Sequence, residues 1–170
     1  MSFFNDEVRE ELKKTDGGFY DLEQGQNQFR IVVTPVWGYK YNFENRGEAK
    51  EMSHPFYAPS NPEVKENKNK LALNAAMVIY DYSSKQLRPF NIHQKKILNA
   101  IDGYEANPKY GDVTGYDVIV GKTGEGRETR YEVMVNPPED MPKEVKEALK
   151  EVEIDMENVF VGDSPIIRKE

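Results

Sequence analysis

Aromatic side chains occupy every second position at residues 37–43, as Trp37, Tyr39, Tyr41 and Phe43. Because successive side chains of a β-strand point to opposite faces, the four rings share one face and Lys40 lies on the other. Aromatic rings stack on the bases of single-stranded nucleic acid, and basic side chains pair with its phosphates. The pattern therefore predicts a base-stacking strand, or ordinary core if this face turns inward.

Two further groups of residues could add to this surface. The first combines tyrosines with basic side chains, and the second contains basic side chains alone. One lies on a predicted hairpin between residues 75 and 92, and the other surrounds the glycine-rich turn at 121–126. Tyrosine suits such a surface because its ring stacks while its hydroxyl stays near water. With the aromatic strand, these groups give the candidate nucleic-acid-binding residues Trp37, Tyr39, Lys40, Tyr41, Phe43, Tyr80, Tyr82, Lys85, Arg88, Lys122, Arg127 and Arg130.

Residues suited to catalysis or metal binding are scarce. The chain has no cysteine, which excludes disulfides, thiolate zinc sites and cysteine nucleophiles, and its histidines, His54 and His93, are far apart in sequence. The run Gly121-Lys122-Thr123 lacks the earlier glycine of a phosphate-binding loop, since Tyr116 stands at that position, and it joins two predicted strands. We expect no enzymatic activity, no cofactor and no metal site.

The elements that position these residues follow one another closely. Apolar alternation predicts strands over 28–43 with a break at Pro35, 75–82, 86–92, 116–120 and 130–135. Asn91 is expected to cap a helix whose buried stripe is Ile97, Leu98 and Ile101. This order predicts a mainly β fold, a five-stranded OB-fold barrel with a helix between strands 3 and 4 and helical appendages at both termini.

The chain is expected to be a single domain. With 170 residues and 38% hydrophobic side chains, it can bury one good core. We expect an N-terminal helix within residues 1–18, the OB-fold barrel at 19–138 with a long polar loop at 45–70, and a C-terminal helix and tail at 139–170. A polar loop of that length in a compact domain is usually functional or disordered.

The net charge of −7 speaks against a broad nucleic-acid-binding surface. The negative charge is concentrated at the two ends, however, and residues 17–140 carry only −2. A near-neutral barrel can still gather a local basic track. Because the N-terminal sequence is acidic where a secretory signal is basic, and no apolar run reaches membrane-spanning length, we expect a cytoplasmic protein without membrane contact.

Three runs of the sequence resemble a known family. They are LEQGQNQFRIVVTPVWGYKY, KLALNAAMVIYDYSSKQLRPFNIHQKKILNAI and YGDVTGYDVIVGKTGEGRETRYEVMVNPP. In this order they resemble the single-stranded DNA-binding proteins of tailed bacteriophages related to the T-even helix-destabilising protein, and the likeness spans about residues 20–160. It implies an OB-fold that coats single-stranded DNA without sequence specificity in the host cytoplasm, beside phage replication and recombination proteins.

Two features depart from that family. The T-even protein has a zinc site of cysteines and a histidine, which this cysteine-free chain cannot build. Many such proteins also end in an acidic tail that recruits partners, whereas this chain ends in PIIRKE. Two other functions therefore stay open: a non-catalytic barrel that serves as an interaction adaptor in a replication or recombination complex, and an RNA-binding barrel of the cold-shock type.

Overall fold

The computed structural model describes residues 19–42, 45 and 55–169. The expected N-terminal helix, Phe43, His54 and much of the first half of the polar loop lie outside these residues. The strands are β1 (Gly25–Ile31), β2 (Val36–Tyr41), β3 (Leu71–Asp81), β4 (Gln86–Ile92), β5 (Asp117–Thr123), β6 (Arg130–Val135), β7 (Val152–Ile154) and β8 (Ile166–Arg168). The helices are α1 (Pro62–Glu66), α2 (Lys95–Ala106) and α3 (Lys143–Lys150).

Six of the strands form one antiparallel sheet, and β3 lies at its centre. The order across the sheet is β2, β3, β1, β5 and β6, and β4 also pairs with β3. The predicted mainly β fold is confirmed, and so is the predicted helix, which lies between β4 and β5. Asn91 is not the cap of that helix, because it lies inside β4 and Gln94 stands at the cap position instead.

The strands β1 and β2 lie end to end along β3. The β1 pairing ends at Ile31 with Ile79 and the β2 pairing begins at Val36 with Ala76, so four residues of this strand face two residues of β3. The extra residues form a bulge, and Pro35 fits there because it has no N–H to offer a ladder. The predicted break at Pro35 is confirmed.

The sheet is not closed into a barrel by strand pairing. Within residues 55–169, no ladder joins β4 to β6, so a closed five-stranded barrel is not confirmed. The residues that precede β1 lie beside this gap: the Tyr20 N–H donates to the Pro89 carbonyl of β4 at 2.9 Å, and the Gln24 side-chain amide donates to the Gly124 carbonyl, just after β5, at 2.6 Å. Residues 19–24 therefore occupy the edge of β4, where Pro89 has no N–H to pair with another strand.

The second half of the long strand β3, residues 76–81, is buried on both faces, as expected from its nearly continuous apolar sequence. Met77 and Ile79 pack on one face in a cluster that includes Ile97 of α2. Val78 lies on the opposite face and packs in a second cluster that includes Val145 of α3. The two faces of one strand thus tie both the middle helix and the C-terminal segment to the sheet.

The described part of the polar loop, residues 55–70, is not featureless. The Asn61 side chain accepts a hydrogen bond from the Glu63 N–H at 3.0 Å and so caps α1. Tyr57 exchanges two backbone hydrogen bonds with Tyr39 on the outer edge of β2, at 2.8 and 2.9 Å. Gly38 permits this approach, because a Cβ there would overlap the Tyr57 carbonyl oxygen and lie 2.6 Å from the Phe56 ring.

The predicted C-terminal helix is confirmed as α3, and the sequence pattern did not predict the hairpin of β7 and β8 that follows it. Both strands of that hairpin are only three residues long, which is too short for alternation to be recognised. In the part of the chain that the structure describes, no helix is long and apolar enough to cross a membrane.

A buried arginine joins the sheet to the segment before β5 and to the segment after β6. The Arg30 side chain is 1% exposed and donates to the carbonyl oxygens of Thr114 at 2.8 Å and Glu139 at 2.7 Å. Its guanidinium also lies 3.6 Å from the Asp117 carboxylate, which accepts a hydrogen bond from the Tyr82 hydroxyl at 2.7 Å. The Asp117 carboxylate balances the charge of Arg30, although the guanidinium Nη1 that faces it makes no hydrogen bond.

Replacing Arg30 should therefore be costly. We expect Arg30→Met to lower the free energy of unfolding by about 3–5 kcal/mol, because it leaves the Asp117 carboxylate buried without its cation. The matched change Arg130→Met, at an exposed position on β6, should alter it by no more than about 0.5 kcal/mol. Urea denaturation of both variants measures the difference, and equal losses would contradict the role given to Arg30.

Candidate nucleic-acid interface

A groove of about 940 Å³ crosses the sheet over β3 and β4. Strand register places Lys40 beside Ala72, Gly38 beside Asn74, and Ala76 beside Asn91, all on one face of the sheet. At one end the groove meets the end of β2 and Phe56, and at the other it meets Phe19 and the β5–β6 hairpin. Residues 159 and 162–165 of the C-terminal segment form one of its walls.

Three of the predicted site residues line this groove: Lys40, Tyr41 and Lys122. The sequence patterns missed further residues of its lining, notably Phe19, Phe56, Asn74, Asn91, His93, Gln94 and Tyr131. Alternation alone gave no reason to select the asparagines, because Asn74 and Asn91 become neighbours of the groove only when β3 and β4 pair. Phe19 precedes the first strand and belongs to no periodic pattern.

The groove contains aromatic surface that a base can reach. Phe19 is 63% exposed, His93 is exposed, and Tyr131 is half-buried, with its hydroxyl 3.5 Å from the Gln94 side-chain amide. Phe56 is buried and packs against Phe160, with ring centroids 5.2 Å apart. The reachable rings are thus at the end near residues 19 and 131, and the other end is braced by a buried ring.

The groove is close to neutral. Lys40 and Lys122 line it together with Asp21 and Asp163. The Lys122 ammonium lies 3.5 Å from the Leu22 carbonyl oxygen, which fixes it beside the segment that precedes β1. With so few cations, stacking and hydrogen bonding must provide most of the attraction for any nucleic acid bound here.

Trp37 and Tyr39 lie on the opposite face of β2 from Lys40, and they are not among the residues that line the groove. Register pairs Trp37 with Ala75 and Tyr39 with Leu73, and their rings meet edge to face at 6.1 Å. Trp37 is 55% and Leu73 44% exposed. Tyr41 continues the alternation but is buried against Tyr57, so the predicted aromatic face divides into an exposed part and a buried part.

The two tyrosines of the predicted hairpin are structural in this conformation. Tyr80 is buried in the C-terminal cluster and meets Tyr82 edge to face at 5.3 Å. Burial raises the pKa of Tyr80, and Glu144 adds to the rise through charge and a hydrogen bond. Burial and the hydrogen bond to Asp117 raise the pKa of Tyr82 above its ordinary range. Neither ring offers an open face for stacking.

The predicted cations also divide. Arg88 donates to the Asp81 carboxylate at 3.1 Å and to the Phe19 carbonyl at 2.6 Å, and its guanidinium lies 5.3 Å from the centre of the Tyr20 ring. It therefore holds the segment before β1 against β4. The remaining predicted cations are exposed at hairpin turns, outside the lining of the groove: Lys85, Arg127 and Arg130.

Among residues 19–42, 45 and 55–169, no cluster of three or more histidine, aspartate and glutamate side chains is arranged to hold a metal ion. Compared with protein-family models, with curated proteins and with solved structures, the chain shows no match in any of the three. The resemblance to phage single-stranded DNA-binding proteins thus stays an expectation from the sequence, and a function has to be argued from the groove and the exposed rings.

The division of the aromatic strand can be tested by stability alone. We expect Tyr41→Ala to lower the free energy of unfolding by about 3–5 kcal/mol, as for other large buried rings. Tyr39→Ala should cost less than half as much, because its ring lies partly in solvent. Urea unfolding of the two variants gives both values, and a larger loss for Tyr39→Ala would reverse the assignment.

Stability should also depend on alkaline pH. Burial raises the pKa of Tyr20 and of Tyr116 from 10.0 to about 12. A tyrosine whose pKa is higher in the folded chain stabilises the fold below the unfolded pKa and loses that contribution as the pH rises through the folded value. We therefore expect the free energy of unfolding to fall from about pH 10 to about pH 12.

Urea unfolding at a series of pH values measures this decline. The variant Tyr20→Phe should show a shallower decline, since it removes one of the tyrosines with a raised pKa while keeping the ring that packs against Phe29 and Phe90. An equally steep decline in Tyr20→Phe would mean that another group is responsible.

Proposed function

We propose that this protein binds single-stranded DNA without sequence preference, along the groove over β3 and β4. The observation that carries the proposal is the position of that groove. It lies between the end of β2 and the β5–β6 hairpin, and it contains the exposed rings Phe19 and His93 and the half-buried ring Tyr131, together with Lys40 and Lys122.

The order of elements supports the proposal. If β1 and β2 count as one bulged strand, the sequence of elements is strand, β3, β4, α2, β5 and β6, which is the order in an OB-fold. OB-folds bind oligonucleotides on the face of their second and third strands, between the loop that precedes strand 2 and the loop that precedes strand 5. The groove occupies the corresponding place, with residues 19–24 beside the gap that a closing ladder fills in a complete barrel.

The chemistry of the groove favours single strands over duplex DNA. Bases reach Phe19, His93 and Tyr131 only when they are unstacked, and every base has a flat face, so stacking gives little sequence preference. Asn74 is 6% exposed at the floor of the groove and already donates to the Ala72 carbonyl at 3.1 Å. We therefore infer that the DNA strand lies against the floor of the groove and is bound mainly by stacking of its bases on these rings.

The proposed role is non-catalytic. By the resemblance described above, the protein would coat single strands during phage DNA replication and recombination, in contact with other proteins of those processes. If the groove binds no nucleic acid, the same fold is better explained as an interaction adaptor of such a complex.

Phe19 and Met134 provide a matched pair for the test. Both are exposed, at 63% and 51%, but only Phe19 lines the groove. We expect Phe19→Ala to weaken binding of labelled oligo-dT by about 1–3 kcal/mol, the usual contribution of one stacking ring, and Met134→Ala to leave it unchanged. Fluorescence anisotropy measures the affinities, and thermal melts check that both variants are folded.

The salt dependence of binding tests the expectation that the groove contacts few phosphates. Two groove lysines correspond to a log–log slope of affinity on salt of about −1.4, and participation of Arg127 and Arg130 would extend it to about −2.8. Duplex DNA of equal length should bind much more weakly. Failure of oligo-dT to bind at low salt contradicts the proposed function, and tighter binding of oligo-rU than of oligo-dT would assign the groove to RNA.

A further inference from the structure

The sheet has a second exposed surface, on the face of β2 and β3 opposite Lys40 and Asn74 and outside the lining of the groove. Trp37, Tyr39 and Leu73 are neighbours on these paired strands, and Trp37 and Leu73 are both largely exposed. Single exposed apolar residues are common on proteins, whereas adjacent ones mark a surface that contacts something else. We refer to these three residues as the outer aromatic face.

The geometry of the outer aromatic face leaves ring surface available. The Trp37 and Tyr39 rings meet edge to face, with an angle of 69° between their planes, so they do not cover each other. Across the strand from Trp37 stands Ala75, whose methyl group covers little of the indole. An indole in this position can accept a base on its open side.

Lysines directly precede β3, the strand that contributes Leu73 to the outer aromatic face. The turn Lys68–Lys70 leads directly into β3 at Leu71, and residues 65–70 contain three lysines and one glutamate. At a rise of about 3.3 Å per residue, Lys70 lies about 10 Å along the chain from Leu73. Lys68 is exposed. Rings with lysines close by are the combination that binds single strands, whereas protein interfaces are depleted in lysine.

The outer aromatic face is also continuous with the groove. Lys40 lines the groove, and its neighbour Tyr39 belongs to the opposite face of the same strand. On the outer edge of β2, the described residues pair only at Tyr39, with Tyr57. A strand of nucleic acid that leaves the groove beside Lys40 can therefore pass round the edge of β2 at Val36 and reach Trp37.

We propose that Trp37, Tyr39 and Leu73, together with Lys68, form a second binding surface for single-stranded DNA, and that strands longer than the groove bend round β2 to contact both faces. This inference rests on the proposed function of the groove. It predicts two ranges of oligonucleotide length: short strands occupy the groove alone, and longer ones also stack on Trp37.

Trp37 reports its own contacts, because it is the only tryptophan in the chain. Oligo-dT strands from about 4 to about 20 nucleotides can be titrated while the affinity is followed by anisotropy of labelled strands and the Trp37 environment by intrinsic fluorescence. We expect the short strands to bind without changing the tryptophan emission. The long strands should bind more tightly and quench it.

Variants separate the two surfaces. Trp37→Ala should weaken binding of the long strands about tenfold and leave the short ones unaffected. Lys68→Gln should weaken binding of the long strands only, by a few-fold. Lys146→Gln, an exposed lysine on α3 against the other face of the sheet, serves as the matched control and should change neither.

Any other outcome contradicts a specific part of this proposal. Tight binding of long strands with unchanged tryptophan emission excludes the second surface and leaves the groove in place. Quenching by the shortest strands would mean that the outer aromatic face, and not the groove, binds first. An emission change that depends on protein concentration without DNA, and disappears in Leu73→Ser, would assign the face to contact between two copies of the chain. Absence of binding at every length would refute the proposed function as well.

Discussion

The structure depends on the burial of the second half of β3, residues 76–81, on both of its faces. This strand pairs with β1, β2 and β4, and its alternate side chains enter two different apolar clusters. A strand buried on both faces cannot shift its register by one residue without placing side chains of the wrong size in each cluster. The positions of α2, α3 and the groove are therefore all defined relative to β3.

The sequence predicted those parts of the fold whose signal is local. The apolar run of β3, the break at Pro35 and the apolar stripe of α2 each appear within one window of the chain, and the structure confirms them. Closure of the sheet is not local, because it depends on whether β4 and β6 approach each other or on what lies between them. Pro89 favours an edge position for β4, but no sequence pattern indicates that Tyr20 occupies that edge.

The candidate site was predicted less completely, and for the same reason. Period-two alternation correctly placed Trp37 and Tyr39 on one face of β2, but it could not tell that Tyr41 is covered by Tyr57. Nor could it distinguish Arg88, which holds the backbone of residue 19, from a cation that is available to phosphates. Such differences are decided by residues far apart in sequence, which single-sequence patterns do not connect.

The position of residues 19–24 beside β4 has a consequence for how copies of this protein behave towards each other. An unpaired strand edge is a template for intermolecular sheet growth, which leads to aggregation. Along β4 that edge is masked by the chain itself: Pro89 provides no donor, and its carbonyl already accepts the Tyr20 N–H. A strand from another molecule could pair with β4 at Pro89 only by displacing Tyr20, whose ring is buried in the core against Phe29 and Phe90.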